Sequence, residues 1–233
     1  MSLAFNTSGT VGIASGSGSI SLSSVTTGAL MIVYIIEAGA EAPKVSTTGW
    51  TLLFSTADSS NFVGHCAYWR VKASGDSSVS VTSGTGGTPI LAELVSYTGQ
   101  AASNPVDISS SATGSNSAPT APSVTTTVAR DWLVGVQGQD SATAESGPSG
   151  FTQRVNVTNS TATCQISAYD ESLGAAGATG STAWASTTAD WTAGNIAISP
   201  AASSYDPSSS RFPDDYGTTD AGMLSHFLIL GGY

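Results

Sequence analysis

Charge is what this chain has least of. Of 233 residues, 6 are Lys or Arg and 16 are Asp or Glu, 9% in all, against roughly 25% in an ordinary soluble domain. Exposed helices are clothed by long-stemmed Glu, Lys, Arg and Gln, so a sequence this poor in them is not built from surface helices. The six cations, Lys44, Arg70, Lys72, Arg130, Arg154 and Arg211, are scattered, and the net charge is −10. Without a basic patch, the phosphate-neutralising interaction that dominates nucleic-acid affinity has no source. An anionic membrane surface is disfavoured on the same ground.

Long apolar runs are missing as well. The longest, residues 29–36, is closed by Glu37 and falls far short of the about 20 residues that a membrane helix needs. No basic residue precedes Lys44, and no apolar stretch of signal-peptide length opens the chain, so no secretory leader is expected. The two cysteines, Cys66 and Cys164, are then expected to remain free thiols in a reducing cytoplasm. They and the two histidines, His65 and His226, make no C-x-x-C or H-x-x-x-H pair, which leaves zinc without ligands. No G-x-S-x-G occurs, and the glycine-rich residues 84–87 lack the lysine of a phosphate loop. Glu93, Asp170, Glu171 and Asp190 are carboxyls without a spacing that selects a catalytic pair. Asp170 and Glu171 read as solvated turn residues after a strand. Neither an enzymatic activity nor a cofactor or metal is expected.

Small hydroxyl residues take the place of charge. Ser and Thr fill 69 positions and Gly another 26. Between their clusters lie short apolar or alternating runs at residues 29–37, 50–55, 62–71, 78–82, 90–97, 132–137, 151–157, 162–169, 182–186 and 195–199. No segment holds a helical period over three turns. The pattern is that of an all-β chain, a jelly-roll-like β-sandwich.

An internal repeat lies beneath the strands. Gly49-Trp50-Thr51 returns as Gly150-Phe151-Thr152 and Ala67-Tyr68 as Ala168-Tyr169, both at an offset of 101; Cys66 has a near counterpart in Cys164. Two pseudo-repeated halves, at about 28–99 and 130–199, are expected to pack face to face, each a sheet whose apolar face needs the other. Residues 1–200 then form one sandwich. The small, polar segment 103–127 reads as a crossing connection between the halves, and residues 7–25 as a strand or a loose arm.

Residues 201–233 read as an acidic, Pro-containing linker followed by an apolar C-terminal arm. The linker's Asp206, Asp214, Asp215 and Asp220 are read as solvated rather than as a calcium site. The arm's apolar residues Met223, Leu224, Phe227, Leu228, Ile229 and Leu230 need burial, either on the chain's own sandwich or on a neighbouring subunit. Among the five tryptophans, Trp50, Trp69, Trp132 and Trp191 sit in apolar company and read as core. Trp184 is the one expected to be exposed and is the candidate for ligand stacking.

Soluble sandwiches guard their sheet edges with Lys, Pro or inward charges, and this chain has two lysines. It is therefore expected to be held in an assembly. The segments Gly49-Trp50-Thr51-Leu52-Leu53-Phe54, Ala67-Tyr68-Trp69-Arg70-Val71, Leu94-Val95-Ser96-Tyr97-Thr98-Gly99 and Asn104-Pro105-Val106-Asp107 resemble β-sandwich modules of tailed-bacteriophage virion structural proteins. Residues 133–136, 150–154 and 189–197 resemble them in the second half. The resemblance implies a jelly-roll-like virion component: a capsid decoration protein, a head fibre or a tail-associated protein. It implies a virion-surface protein made in the host bacterial cytoplasm, whose partners are the major capsid or another virion protein and copies of itself. The alternative is a tail or fibre adhesin that takes a host glycan through Trp184.

Overall fold

A computed structural model describes residues 2–13, 16–58, 63–160 and 163–202. The chain divides into two units, Met1–Ala202 and Ser203–Tyr233. The second unit lies outside the described residues, and with it the expected arm, Met223, Leu224, Phe227, Leu228, Ile229 and Leu230. The first unit holds all of the described residues.

These residues form strands and no helix, as the scarcity of helix-clothing side chains requires. The first half contains β1 (Ala4–Ile13), β2 (Ser17–Ser21), β3 (Leu30–Glu37), β4 (Lys44–Val45), β5 (Thr51–Asp58), β6 (Val63–Val71), β7 (Ser78–Thr82) and β8 (Ile90–Thr98). The second contains β9 (Val106–Asn116), β10 (Thr120–Ala121), β11 (Thr125–Thr126), β12 (Trp132–Gln139), β13 (Thr152–Asn159), β14 (Cys164–Ser172), β15 (Gly177–Ala178), β16 (Thr182–Ala183) and β17 (Ala189–Ile198).

Each half builds one five-stranded antiparallel sheet, ordered β1-β8-β3-β6-β5 in the first and β9-β17-β12-β14-β13 in the second. The two orders correspond strand for strand. The registers repeat too. Tyr34 pairs with Ala67 and Glu93, and Val136 pairs with Ala168 and Gly194. A bulge falls between Leu52 and Phe54 in β5 and between Gln153 and Val155 in β13, again 101 apart. Another pair leaves Asn6 unmatched in β1 and Asp107 unmatched in β9. Bulges kink an edge strand and increase its twist, so their repetition means both sheets bend alike.

Those registers revise one expected match. The position of Cys66 in the first half is taken by Ser167 in the second, while Cys164 stands where the first half has Val63. Neither cysteine is in a disulfide, and both are buried.

The sheets pack face to face around a shared core. Leu30, Ile32, Tyr34 and Ile36 of β3 meet Val134, Val136, Ile166 and Ile196 from the opposite sheet. Fully burying an aliphatic side chain of this size stabilises by roughly 1.5–3 kcal/mol. The outer faces of the two sheets are covered as well. All eight residues of β3 are buried, because a small sheet, β2-β7-β4, covers the outer side of the first half. There Met31, Val33, Ile35, Cys66 and Leu94 form a second apolar core with Ile20, Val79 and Val81. The second half is covered by the ribbons β10-β16 and β11-β15.

The crossing connection is also corrected. Most of residues 103–127 belongs to β9, the partner of β17, and to β10 and β11. Residues 7–25 likewise contribute β1 and β2. Both halves therefore begin earlier than the apolar runs suggest. Edge strands made of Ser, Thr, Gly and Ala pair through backbone hydrogen bonds, which leave little trace in side-chain hydrophobicity.

Candidate functional site

The chain crosses from one half to the other where residues 99–101 pair with residues 199–201. Ala101 N donates to Ser199 O at 2.8 Å, and Ala201 N to Gly99 O at 2.7 Å. Two clefts flank this crossing at equivalent positions. One, of about 500 Å³, is lined by Thr26, Gly28, Thr98, Gly99, Gln100 and Ala201. The other, of about 590 Å³, is lined by Asn104, Asp107, Thr127, Val128, Ser199 and Pro200 among others.

Each cleft is braced by its bulge residue. In the first half Thr26 N donates to Asn6 Oδ1 at 3.0 Å, and Asn6 Nδ2 donates to Thr26 Oγ1 at 2.9 Å. In the second half Thr127 N and Thr127 Oγ1 donate to the two oxygens of Asp107, each at 2.6 Å. An amide in one half thus becomes a carboxylate in the other, with charge-assisted and shorter bonds.

A second carboxyl, Asp131, backs Asp107. It is fully buried, and neither of its oxygens meets an N–H or O–H donor. Burial first, then the hydrogen bond and the negative charge of Asp107, push it up to about 7. Burial works to raise Asp107, but the bonds from Thr127, with Asp131 and the Val128 amide, hold it below its ordinary value. Two adjacent carboxyls cannot both ionise cheaply, so Asp131 takes up a proton more readily than an ordinary aspartate.

The interior holds further titratable groups. Glu93 is 1% exposed, and neither of its oxygens has a partner; burial, then the charge of Glu145, raises its pKa well above the ordinary value. Burial favours its uncharged form. His65 is packed edge-on against Tyr34 and tilted against Phe54, and burial lowers it to about 3. A neutral, sealed imidazole has no access to substrate. Tyr34 meets the Thr192 hydroxyl. Asp170 accepts from Tyr97 OH and from Arg154 Nε, both at 2.8 Å. Asp170 is 1% exposed and lies within β14, not in a turn, which corrects the solvated reading. Arg154 is the bulge residue of β13 and also lies over the Phe5 ring, 4.4 Å from its centroid.

Trp184, expected to be exposed, is 2% exposed. Its six-membered ring lies 3.2 Å from where a Cβ on Gly135 would stand, so only a glycine in β12 admits it. A ring covering the sheet backbone offers no face to a ligand. The acidic positions Asp206, Asp214, Asp215 and Asp220 lie outside the described residues. Among the described residues, no three His, Cys, Asp or Glu side chains converge as a metal would need.

Compared with protein-family models, curated proteins and solved structures, the chain matches none. Its function is therefore read from its own geometry. Sequence reasoning passed over the Asp107–Asp131 pair because the two lie on separate elements and become neighbours only through β9 and the turn before β12. The repeat carried one usable signal: at an offset of 101, Asp107 stands where the first half has Asn6.

Proposed function

We propose that this chain is a non-enzymatic structural protein of a tailed-phage particle, a capsid decoration or cement subunit bound at the virion surface. The observation that carries this reading is the character of the four sheet edges. The edge strands β1, β5, β9 and β13 each have one hydrogen-bonded neighbour in their sheet. Together they contain no Lys and no Pro, and their charged residues are Asp58, Asp107 and Arg154. Asp58 accepts from Thr113 Oγ1, Asp107 is held by Thr127, and Arg154 is drawn to Asp170. The charges that usually guard an edge are thus spent inside the molecule.

Leu52 on β5 and Ile108 on β9 are 49% and 37% exposed. Such edges suit a subunit whose margins are covered by the major capsid protein, another virion protein or its own copies. The motifs that resemble phage sandwich modules support the same reading. The glycan-binding alternative loses its platform, because Trp184 is buried. The subunit is made in the cytoplasm of the host bacterium and acts on the assembled particle.

The test is reconstitution. Purified chain added to particles lacking it is expected to bind in saturable copy number and raise their resistance to heat and osmotic shock. Leu52→Lys with Ile108→Lys is expected to weaken that binding while leaving the free subunit folded. Saturable binding to host cells by the isolated protein, without any effect on particle stability, would replace this reading with an adhesin.

A further inference from the structure

The repeat supplies its own control experiment in the outer cores. In the first half Ile35, Cys66 and Leu94 fill the space beneath the covering sheet, beside the backbone of Gly64. The same register positions in the second half are Gln137, Ser167, Asn195 and Gln165. All four are 0% exposed. At these four positions the first half's apolar residues and glycine are exchanged for three amides and a hydroxyl, beside the apolar cluster of Tyr169, Trp184, Trp191 and Ala193.

These side chains satisfy one another only in part. Gln137 Nε2 donates to Gln139 Oε1 at 3.3 Å, and Ser167 Oγ donates to Gln137 Oε1 at 3.4 Å. Asn195 Nδ2 donates to Pro122 O at 3.0 Å. Gln165 Nε2 is shared between Asn156 Oδ1 at 3.2 Å and Glu145 Oε1 at 3.4 Å. Four buried atoms remain without a partner: Asn195 Oδ1, Gln165 Oε1, Glu145 Oε2 and Trp184 Nε1. None of these four residues is more than 7% exposed.

Leaving a buried polar atom unpaired costs about 1–3 kcal/mol. Four of them would consume much of the about 5–15 kcal/mol that separates a folded domain from its unfolded chain. The first half shows that apolar residues fit the same frame, so the polar set persists because something bonds to it. Three of the four atoms are acceptors and one is an indole donor, and they form two groups. The edge of the Trp184 ring that adjoins Nε1 lies over Gly135, which pairs directly with Asn195. Gln165 and Glu145 already touch at the other end. A small, neutral partner that both donates and accepts is water.

We infer that the outer core of the second half is a water-binding site, with an ordered water between Trp184 and Asn195. The cover formed by residues 140–150 and β16 then adds water to the direct bonds that hold it, among them Gln139 Nε2 to Thr143 O and Asn156 Nδ2 to Glu145 O, whereas Ile20, Val79 and Val81 of the first half's cover meet its sheet through apolar contact.

The test is nuclear magnetic resonance on the full chain. The Trp184 Nε1–H, assigned by its loss in Trp184→Phe, is expected to show a cross-peak to water with the sign given by a long-lived bound molecule. Asn195→Leu, which installs the first-half residue, is expected to abolish that cross-peak and to lower the count of long-lived waters in oxygen-17 relaxation dispersion by at least one. Asn195→Asp, which keeps the shape and the acceptor, retains the cross-peak and guards against a folding defect in the leucine variant. A wild-type indole with no water cross-peak, or a dispersion amplitude unchanged by Asn195→Leu, overturns the inference. So does a co-purifying organic molecule found in native mass spectrometry.

Discussion

Replacing Arg154 with alanine is the sharpest probe of how the two sheets are joined. Arg154 reaches from the β13 bulge to Asp170, which is 1% exposed, while Arg154 itself retains 21% exposure. Removing the arginine leaves the buried aspartate with Tyr97 OH as its remaining side-chain donor. Breaking a buried pair from one side costs about 3–5 kcal/mol, and losing the guanidinium from the Phe5 ring adds about 0.5–1 kcal/mol. In a unit of this size 1 kcal/mol moves the melting temperature by about 2–4 °C, so Arg154→Ala is expected to melt roughly 10 °C lower. The first half holds the same two positions with Leu53 and Trp69, an apolar solution on the same frame. The double variant Arg154→Leu/Asp170→Leu is accordingly expected to recover most of the loss. Urea unfolding of the wild type, both single variants and the double variant gives the cycle. A loss below about 1 kcal/mol for Arg154→Ala, or a double variant as unstable as the sum of the singles, would refute the reasoning.

Glu93 is raised, so it binds its proton more tightly when folded, and its contribution to stability is full below the unfolded pKa and lost as pH rises towards the folded value. Above the unfolded pKa, Glu93→Gln is expected to gain on the wild type by about 1.4 kcal/mol per pH unit, measured as the difference between their urea unfolding free energies from pH 5 to 8. Asp131, raised to about 7, acts with the same sign, and Asp131→Asn is expected to flatten the remaining slope between its ordinary value and neutrality. A Cβ on Gly194 would stand 2.5 Å from the Phe54 ring, so Gly194→Ala is expected to cost about 1–3 kcal/mol by overpacking, read by thermal unfolding. Thr127→Val removes the hydroxyl that Asp107 accepts from, and is expected to destabilise more than Thr26→Val, whose partner Asn6 is neutral; calorimetry of the two variants decides it.

The composition and the strand runs were enough to establish the all-β class. Residues 29–37 and 90–97 were legible because continuous apolar stretches have one use in a chain without helices. The repeat was legible at Gly49 and Gly150, where both glycines adopt positive φ of 83° and 90°, a conformation that costs other residues strain. β9 was not legible and β1 only as one of two readings, since an edge strand of small residues is selected by backbone pairing with β8 and β17 rather than by its own side chains. Trp184 was misjudged because its neighbours Ala183 and Ala185 reveal nothing about Gly135, about fifty residues earlier, which leaves room for its ring.

Local chemistry along the chain therefore determined what kind of elements form and that they come in two matching sets: small hydroxyl residues, turn glycines and short apolar runs allow little else. Only the tertiary structure decided which polar residues are solvated and which are buried. Asp107 meets Asp131, Arg154 meets Asp170, and Gln137 replaces Ile35 in an otherwise matching frame, through contacts between strands far apart in sequence. Burial and electrostatic partnership are properties of the packed neighbourhood, and a hydrophobicity pattern carries no record of who the neighbours are.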